Sequence, residues 1–204
     1  MLISIEGIDG AGKNTLVQRI KKELSVEVNV LGFPRYEESV HAQLAQDALY
    51  GKMGDLTDSA FAMATLFALD RLGAKERLLA AQESNDLLIL DRYVASNAAY
   101  SAARLGTDEV IDWVFDLEFG RFGLPKPQLQ IFLDTDVELA AARATSRAEE
   151  DSTRARDRYE KDSTLQANTA AAYRRLAERK WGGQWIATAD TDMIVQSVKK
   201  LVEE

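Results

Sequence analysis

The stretch Leu2-Ile3-Ser4-Ile5-Glu6-Gly7-Ile8-Asp9-Gly10-Ala11-Gly12-Lys13-Asn14-Thr15 decides the fold. A short apolar run is followed at once by three spaced glycines and a lysine, and then by Leu16, Ile20 and Leu24 at steps of four. The order is strand, glycine-rich turn, amphipathic helix. In that context backbone N–H groups converge on phosphate oxygens, the helix N-terminus adds partial positive charge, and Lys13 can reach the terminal phosphates of a nucleotide. The stretch departs from the general motif directly after the lysine. Asn14 stands where a hydroxyl would bind magnesium, and Thr15 comes one place late. Either Asn14 contributes little to the metal, or the metal is held mainly through phosphates, waters and nearby carboxylates such as Asp9 and Asp91.

Outward from this loop the chain alternates. Apolar runs at 2–5, 26–31, 87–90, 129–133 and, more weakly, 185–187 are separated by segments with helical spacing. Helical patterns follow Gly12 and cover 59–82, 110–122, 137–148, 159–180 and 193–202; Gly73 interrupts the first of these ranges without necessarily ending it. Helices between nearly continuous apolar strands imply crossover connections, so the expected fold is a three-layer α/β domain with a parallel sheet covered on both faces. Its ligands should sit beyond the carboxyl ends of the strands.

Composition bounds the rest. At about 150 residues per domain, the 204 residues are read as one domain, 1–204, and 46% hydrophobic content with only 3 prolines excludes a disordered chain. A net charge of −8 disfavours a surface for nucleic acid. The absence of cysteine excludes disulfides, thiolate zinc sites and cysteine nucleophiles. The N-terminus lacks the basic segment of a signal peptide, and no run approaches the roughly 20 apolar residues of a membrane helix. A cytoplasmic protein without membrane contacts is the expectation.

Two more strand ends carry unusual residues. The third run ends in Asp91-Arg92-Tyr93, with a carboxylate where such loops place their metal-side acid and an arginine facing the same crevice. The second ends in Phe33-Pro34-Arg35-Tyr36. One triphosphate is served by the loop, so two further arginines suggest a second anionic substrate.

Residues 7–15, Phe33-Pro34-Arg35-Tyr36, the segment 62–71 and the segment from Asp91-Arg92-Tyr93 to Arg104 together resemble the thymidylate kinases, most closely those of actinobacteria, over nearly the whole chain. The resemblance implies a P-loop kinase fold with a five-stranded parallel sheet and an arginine-containing lid. It also implies transfer of the γ-phosphoryl group of ATP to dTMP with Mg2+, and a homodimer. It assigns Arg92 and Arg35 to the monophosphate, with Phe33 and Tyr36 beside them. Phe67 would stack on the thymine, Arg71 and Asn97 would hydrogen-bond its polar edge, and Tyr100 would lie by the sugar and disfavour a 2′-hydroxyl. Such a set suits a pyrimidine, which needs an apolar ring face and polar partners at its edge. Phe67 on its own equally fits core packing on an amphipathic helix.

The stretch 143–157 is rich in arginine within an acidic protein and resembles the family's catalytic lid. Phosphoryl transfer needs positive charge around the moving group rather than a base. The resemblance therefore assigns Arg147 and Arg154 to catalysis beside Lys13, Asp91 and Arg92. Arg143 and Arg156 are lesser candidates, and Arg143 and Arg147 also serve ATP. Asp9 and the Tyr159-Glu160 pair would lie beside the monophosphate and sugar, with Asp9, Asp91 and Glu160 as metal ligands. His41 is read as a surface residue. Trp113, Phe115, Phe119 and Phe122 are either interface or core. Two readings stand beside the first: a kinase for another nucleoside monophosphate, and a P-loop switch or assembly protein, although no guanine-reading Asn-Lys-x-Asp follows any strand.

Overall fold

The computed structural model describes residues 1–84, 86–150 and 157–203, with the side chains of 147–150 outside the described set. Five strands form one parallel sheet among the described residues: β1 (Leu2–Glu6), β2 (Val28–Gly32), β3 (Leu87–Asp91), β4 (Leu129–Leu133) and β5 (Trp185–Thr188), in the order β2-β3-β1-β4-β5. β1 lies in the middle and all five of its residues are buried. Side-chain alternation along the strands divides the core into two layers. Leu2, Leu88, Leu90 and Phe132 face one cluster, while Ile3, Ile5, Ile89, Ile131 and Leu133 face the other. Each fully buried leucine or isoleucine contributes about 1.5–3 kcal/mol.

The helices follow the expected crossovers: α1 (Lys13–Glu23), α2 (Val40–Leu49), α3 (Ala60–Leu72), α4 (Lys75–Glu83), α5 (Val94–Leu105), α6 (Glu109–Phe115), α7 (Val137–Glu150), α8 (Arg158–Lys161), α9 (Ser163–Glu178) and α10 (Thr191–Glu203). Three boundaries differ from the expectation. The pattern over 59–82 is two helices that part at Gly73, where an added Cβ would come within 2.9 Å of Arg35 Nη2. The pattern over 159–180 parts at Asp162, whose carboxylate accepts from Leu165 N and caps α9. The pattern over 110–122 passes from α6 into a π-helical turn at Asp116–Arg121.

Strand register positions the site. Ile5 and Gly32 both pair with Asp91, so the carboxyl ends of β1, β2 and β3 finish level with one another. The glycine-rich loop, Phe33 and Arg92 thereby leave the sheet side by side.

Candidate active site

The loop after β1 bends through glycines that no other residue could replace without rearrangement. Gly10 has φ +81°, and a Cβ there would fall 2.0 Å from the Ala140 carbonyl oxygen. Ile8 and Ala11 are buried anchors of the loop. Lys13 opens α1 and donates from Nζ to the carbonyls of Ile8 at 3.1 Å and Gly7 at 3.3 Å. Burial, with Arg92 nearby, lowers its pKa to about 8 against the pull of Asp9, Asp91 and Glu6.

Two hollows meet at this edge. The larger, of about 690 Å³, is lined by Gly10, Gly12, Lys13, Asn14, Thr15, Asp91 and Arg143. The other, of about 240 Å³, is lined by Asp9, Phe67, Arg71, Asn97, Tyr100, Tyr159 and Glu160. Phe33, Tyr36 and Arg92 line both. The first is built from the phosphate loop, and the second is a slot of aromatic and polar groups.

Arg92 stands where they join. Its backbone has φ 66°, a left-handed conformation uncommon for a side chain with a Cβ and found where geometry matters more than local comfort. Its guanidinium donates from Nη1 to Gly7 O at 2.7 Å and from Nη2 to Asp9 Oδ1 at 2.6 Å. Asp9 Oδ2 accepts from the Tyr100 hydroxyl at 2.9 Å and from Gln166 Nε2 at 3.0 Å. Burial pushes the Asp9 carboxyl up, yet Arg92 and Lys13, with these hydrogen bonds, outweigh it and hold the pKa at about 2. Asp9 is therefore a fixed anion and Arg92 a fixed cation.

Beneath them Glu6 is wholly buried and accepts at Oε2 from Ser96 Oγ at 2.6 Å and Tyr173 OH at 3.2 Å. Burial pushes its pKa up, opposed first by the Ser96 hydrogen bond and then by Arg92. At the far end of the slot, Arg71 lies one turn after Phe67 on α3 and is paired with Glu118, Nη2 to Oε1 at 2.8 Å. Asn97 Nδ2 donates to Glu118 Oε1 at 2.7 Å and to Ala64 O at 3.0 Å. Tyr159 receives Arg104 Nη1 on its hydroxyl at 2.6 Å and stacks at 6.2 Å on Tyr100. Asp157 and Glu160 form a reciprocal cap at the start of α8.

The structure thus brings together most of the residues singled out from sequence. Arg35 is an exception, for it lines neither hollow. Its backbone N and Nε donate to the Asp70 carboxylate at 2.9 and 3.0 Å, and Nη2 donates to Asp70 O at 2.6 Å. Asp9 and Glu160 line one hollow and Asp91 the other, and among the described residues no three acidic or histidine side chains form a metal cage. Asn14 lines the loop hollow and accepts from Gln18 Nε2 at 3.5 Å. Arg154, Arg156 and the side chain of Arg147 lie outside the described residues.

Sequence reasoning missed Glu118, Gln166, Glu6 and Tyr173. Only Glu118 carried a visible signal, an acid set between Leu117 and Phe119 in an aromatic run.

The profile of the family described as Thymidylate kinase matches residues 5–201. The thymidylate kinase of Mycobacterium tuberculosis (strain H37Rv) is 51% identical over 199 residues, covering 94% of this chain and 93% of that one. A probable thymidylate kinase of Thermococcus onnurineus is 32% identical over 187 residues, covering 88% and 85%. Among solved structures, the thymidylate kinase from Candida albicans superposes with a TM-score of 0.74 at 23% identity, covering 99% of this chain and 90% of that one, a likeness of fold.

Proposed function

The chain belongs to the thymidylate kinase family and transfers the γ-phosphoryl group of ATP to dTMP; from that premise we propose which of its side chains do so. ATP lies along the glycine-rich loop, residues 7–15, with Lys13 on its terminal phosphates and Arg143 beside it. The thymidine lies in the slot, its ring on Phe67 and its edge at Arg71 and Asn97, with Tyr100, Tyr159 and Glu160 around the sugar. The dTMP phosphate meets Arg92. Phe33 and Tyr36, which line both hollows, flank the junction between them.

One observation carries this reading: Arg92 lines both hollows while held on Asp9 and on the loop carbonyl of Gly7. In a loose phosphoryl transfer the protein supplies position and positive charge, and a guanidinium fixed at the junction needs no reorganisation as charge moves across. Arg35, turned onto Asp70, lends a second cation only on leaving that carboxylate. The lid over 143–157 adds its arginines, Arg147 and Arg154 first, and excludes water from the phosphates.

Magnesium fits beside Asp91, whose Oδ1 is buried without a hydrogen-bond partner among the described residues and whose side chain lines the loop hollow. When bound it supplies charge to the β- and γ-phosphates. The reading includes a cytoplasmic enzyme and a homodimer. Phe61, 44% exposed and edge-on to Trp113 at 5.0 Å, offers apolar surface for that contact, whereas Trp113, Phe119 and Phe122 pack on the core.

Coupled ADP release with Mg-ATP against dTMP, dUMP, UMP, CMP, AMP, GMP, thymidine and no acceptor tests the reading. Turnover should favour dTMP, and Arg92→Ala should abolish it while ATP affinity changes less than about tenfold. Unchanged turnover in Arg92→Ala refutes the site.

A further inference from the structure

We propose that Glu118 is a specificity-determining residue: it sets the donor–acceptor polarity of the slot so that a ring with a C4 carbonyl beside N3–H is taken and cytosine is refused. The inference rests on the reading that the base lies in this slot. Glu118 arrives from the π-helical turn at Asp116–Arg121, a wider coil that occurs mostly as single turns near functional sites, and it has no exposed surface.

An ionised carboxylate only accepts hydrogen bonds, and so does a backbone carbonyl. Asn97 faces one of each, Glu118 Oε1 at 2.7 Å and Ala64 O at 3.0 Å. The amide must therefore turn its NH2 toward them, which uses both of its N–H groups and leaves Oδ1, an acceptor, as its remaining group for the hollow it lines. Arg71 spends Nε and one N–H of Nη2 on the same carboxylate, which leaves three donors, two on Nη1 and one on Nη2. One buried carboxylate thereby turns the Asn97 acceptor toward one side of the slot and holds the donor-only guanidinium of Arg71 on the other.

Thymine and uracil present the complement, a carbonyl at C4 for the guanidinium and N3–H for the amide oxygen. Cytosine presents an amino group at C4 and a bare nitrogen at N3, so each of its groups would meet its own kind. A buried polar mismatch of that type discriminates far more than a missing methyl does. Arg71 donates in any setting; Asn97 is the group whose sense can reverse. Its amide is held by two acceptors, Ala64 O and Glu118 Oε1, and only the second belongs to a side chain. An NH2 at position 118 would oppose the Ala64 carbonyl and weaken the hold on the Asn97 orientation.

The test compares kcat and KM for dTMP, dUMP and dCMP at saturating Mg-ATP in the wild type, Glu118→Gln and Glu118→Asp. Glu118→Gln, whose amide both donates and accepts, should shrink the dTMP-to-dCMP ratio of kcat/KM by about tenfold or more, mainly through KM. Glu118→Asp keeps an acceptor-only partner and should hold the ratio within about threefold while absolute rates fall. A purely structural role would lower both substrates together and leave the ratio unchanged in both variants, and that result overturns the assignment.

A second measurement needs only the wild type. 5-Fluoro-dUMP loses its N3 proton near neutral pH, so its KM relative to dUMP should rise about tenfold per pH unit above that ionisation. A flat ratio overturns the inference. Phe67→Ala separates the two levels: an unchanged KM for dTMP means that the base lies elsewhere and both readings fail. A raised KM together with an unmoved Glu118→Gln ratio sinks only the Glu118 assignment.

Discussion

Replacing Lys13 with methionine should abolish turnover and yet make the nucleotide-free protein more stable. Lys13 is pushed from 10.5 down to about 8, first by burial and then by Arg92, so the folded state disfavours its ammonium form. At ~1.4 kcal/mol per pH unit that gap is worth about 3 kcal/mol, an upper bound because the residue keeps part of its surface in water. The sign follows from linkage. Below pH 8 both folded and unfolded chains carry the charge and the cost is full; between pH 8 and 10.5 only the unfolded chain holds the proton and the cost fades. Methionine removes the charge, but it also removes the Nζ bonds to Gly7 and Ile8, each worth about 0.5–1.5 kcal/mol. It takes a cation from Asp9 as well. The net gain should be about 1 kcal/mol at pH 7, or ~2–4 °C for a protein of this size. Urea titration followed by tryptophan fluorescence at pH 7, 8.5 and 10 reads it, and the advantage should shrink with each step. A variant less stable than the wild type at pH 7, or a difference that is the same at pH 7 and 10, would refute the reasoning. Mg-ATP should raise the melting temperature of the wild type and leave that of the variant unmoved.

Arg92→Gly and Arg92→Ala should both lose dTMP turnover, but the glycine variant should be more stable by about 1 kcal/mol, because only alanine keeps a Cβ at φ 66°. Equal melting temperatures would show that the left-handed backbone stores no strain. Tyr100→Phe removes the hydroxyl that Asp9 Oδ2 accepts at 2.9 Å and should raise acceptance of the ribose form of TMP relative to dTMP about tenfold. Competition kinetics that give the wild-type ratio would take Tyr100 off the sugar.

What the sequence carried in readable form was local. The loop over 7–15 and the Asp91-Arg92 pair at the end of β3 depend on short spacings, and short, nearly continuous apolar runs were enough to find the strands. α5 escaped the periodicity because its buried residues are mainly alanine, serine and asparagine, which give no strong apolar stripe. The partners of the site residues were invisible for another reason. Glu118 meets Arg71 across 47 positions, Gln166 meets Asp9 across 157, and Asp70 captures Arg35 across 35. Pairings at that range depend on which faces the fold brings together, and no spacing rule encodes them. The same holds for Gly73, whose missing Cβ leaves room for the Arg35 guanidinium.

In the arrangement proposed above, the shared position of Arg92 means that the two nucleotides do not bind as strangers. The guanidinium borders both hollows and is tied to the loop at Gly7 and to the slot at Asp9, so the arrival of one substrate changes the field that the other enters. By reciprocity, whatever factor ATP imposes on the affinity for dTMP, dTMP returns to ATP. In that arrangement, a dissociation constant measured with either nucleotide alone describes a different state from the one that turns over.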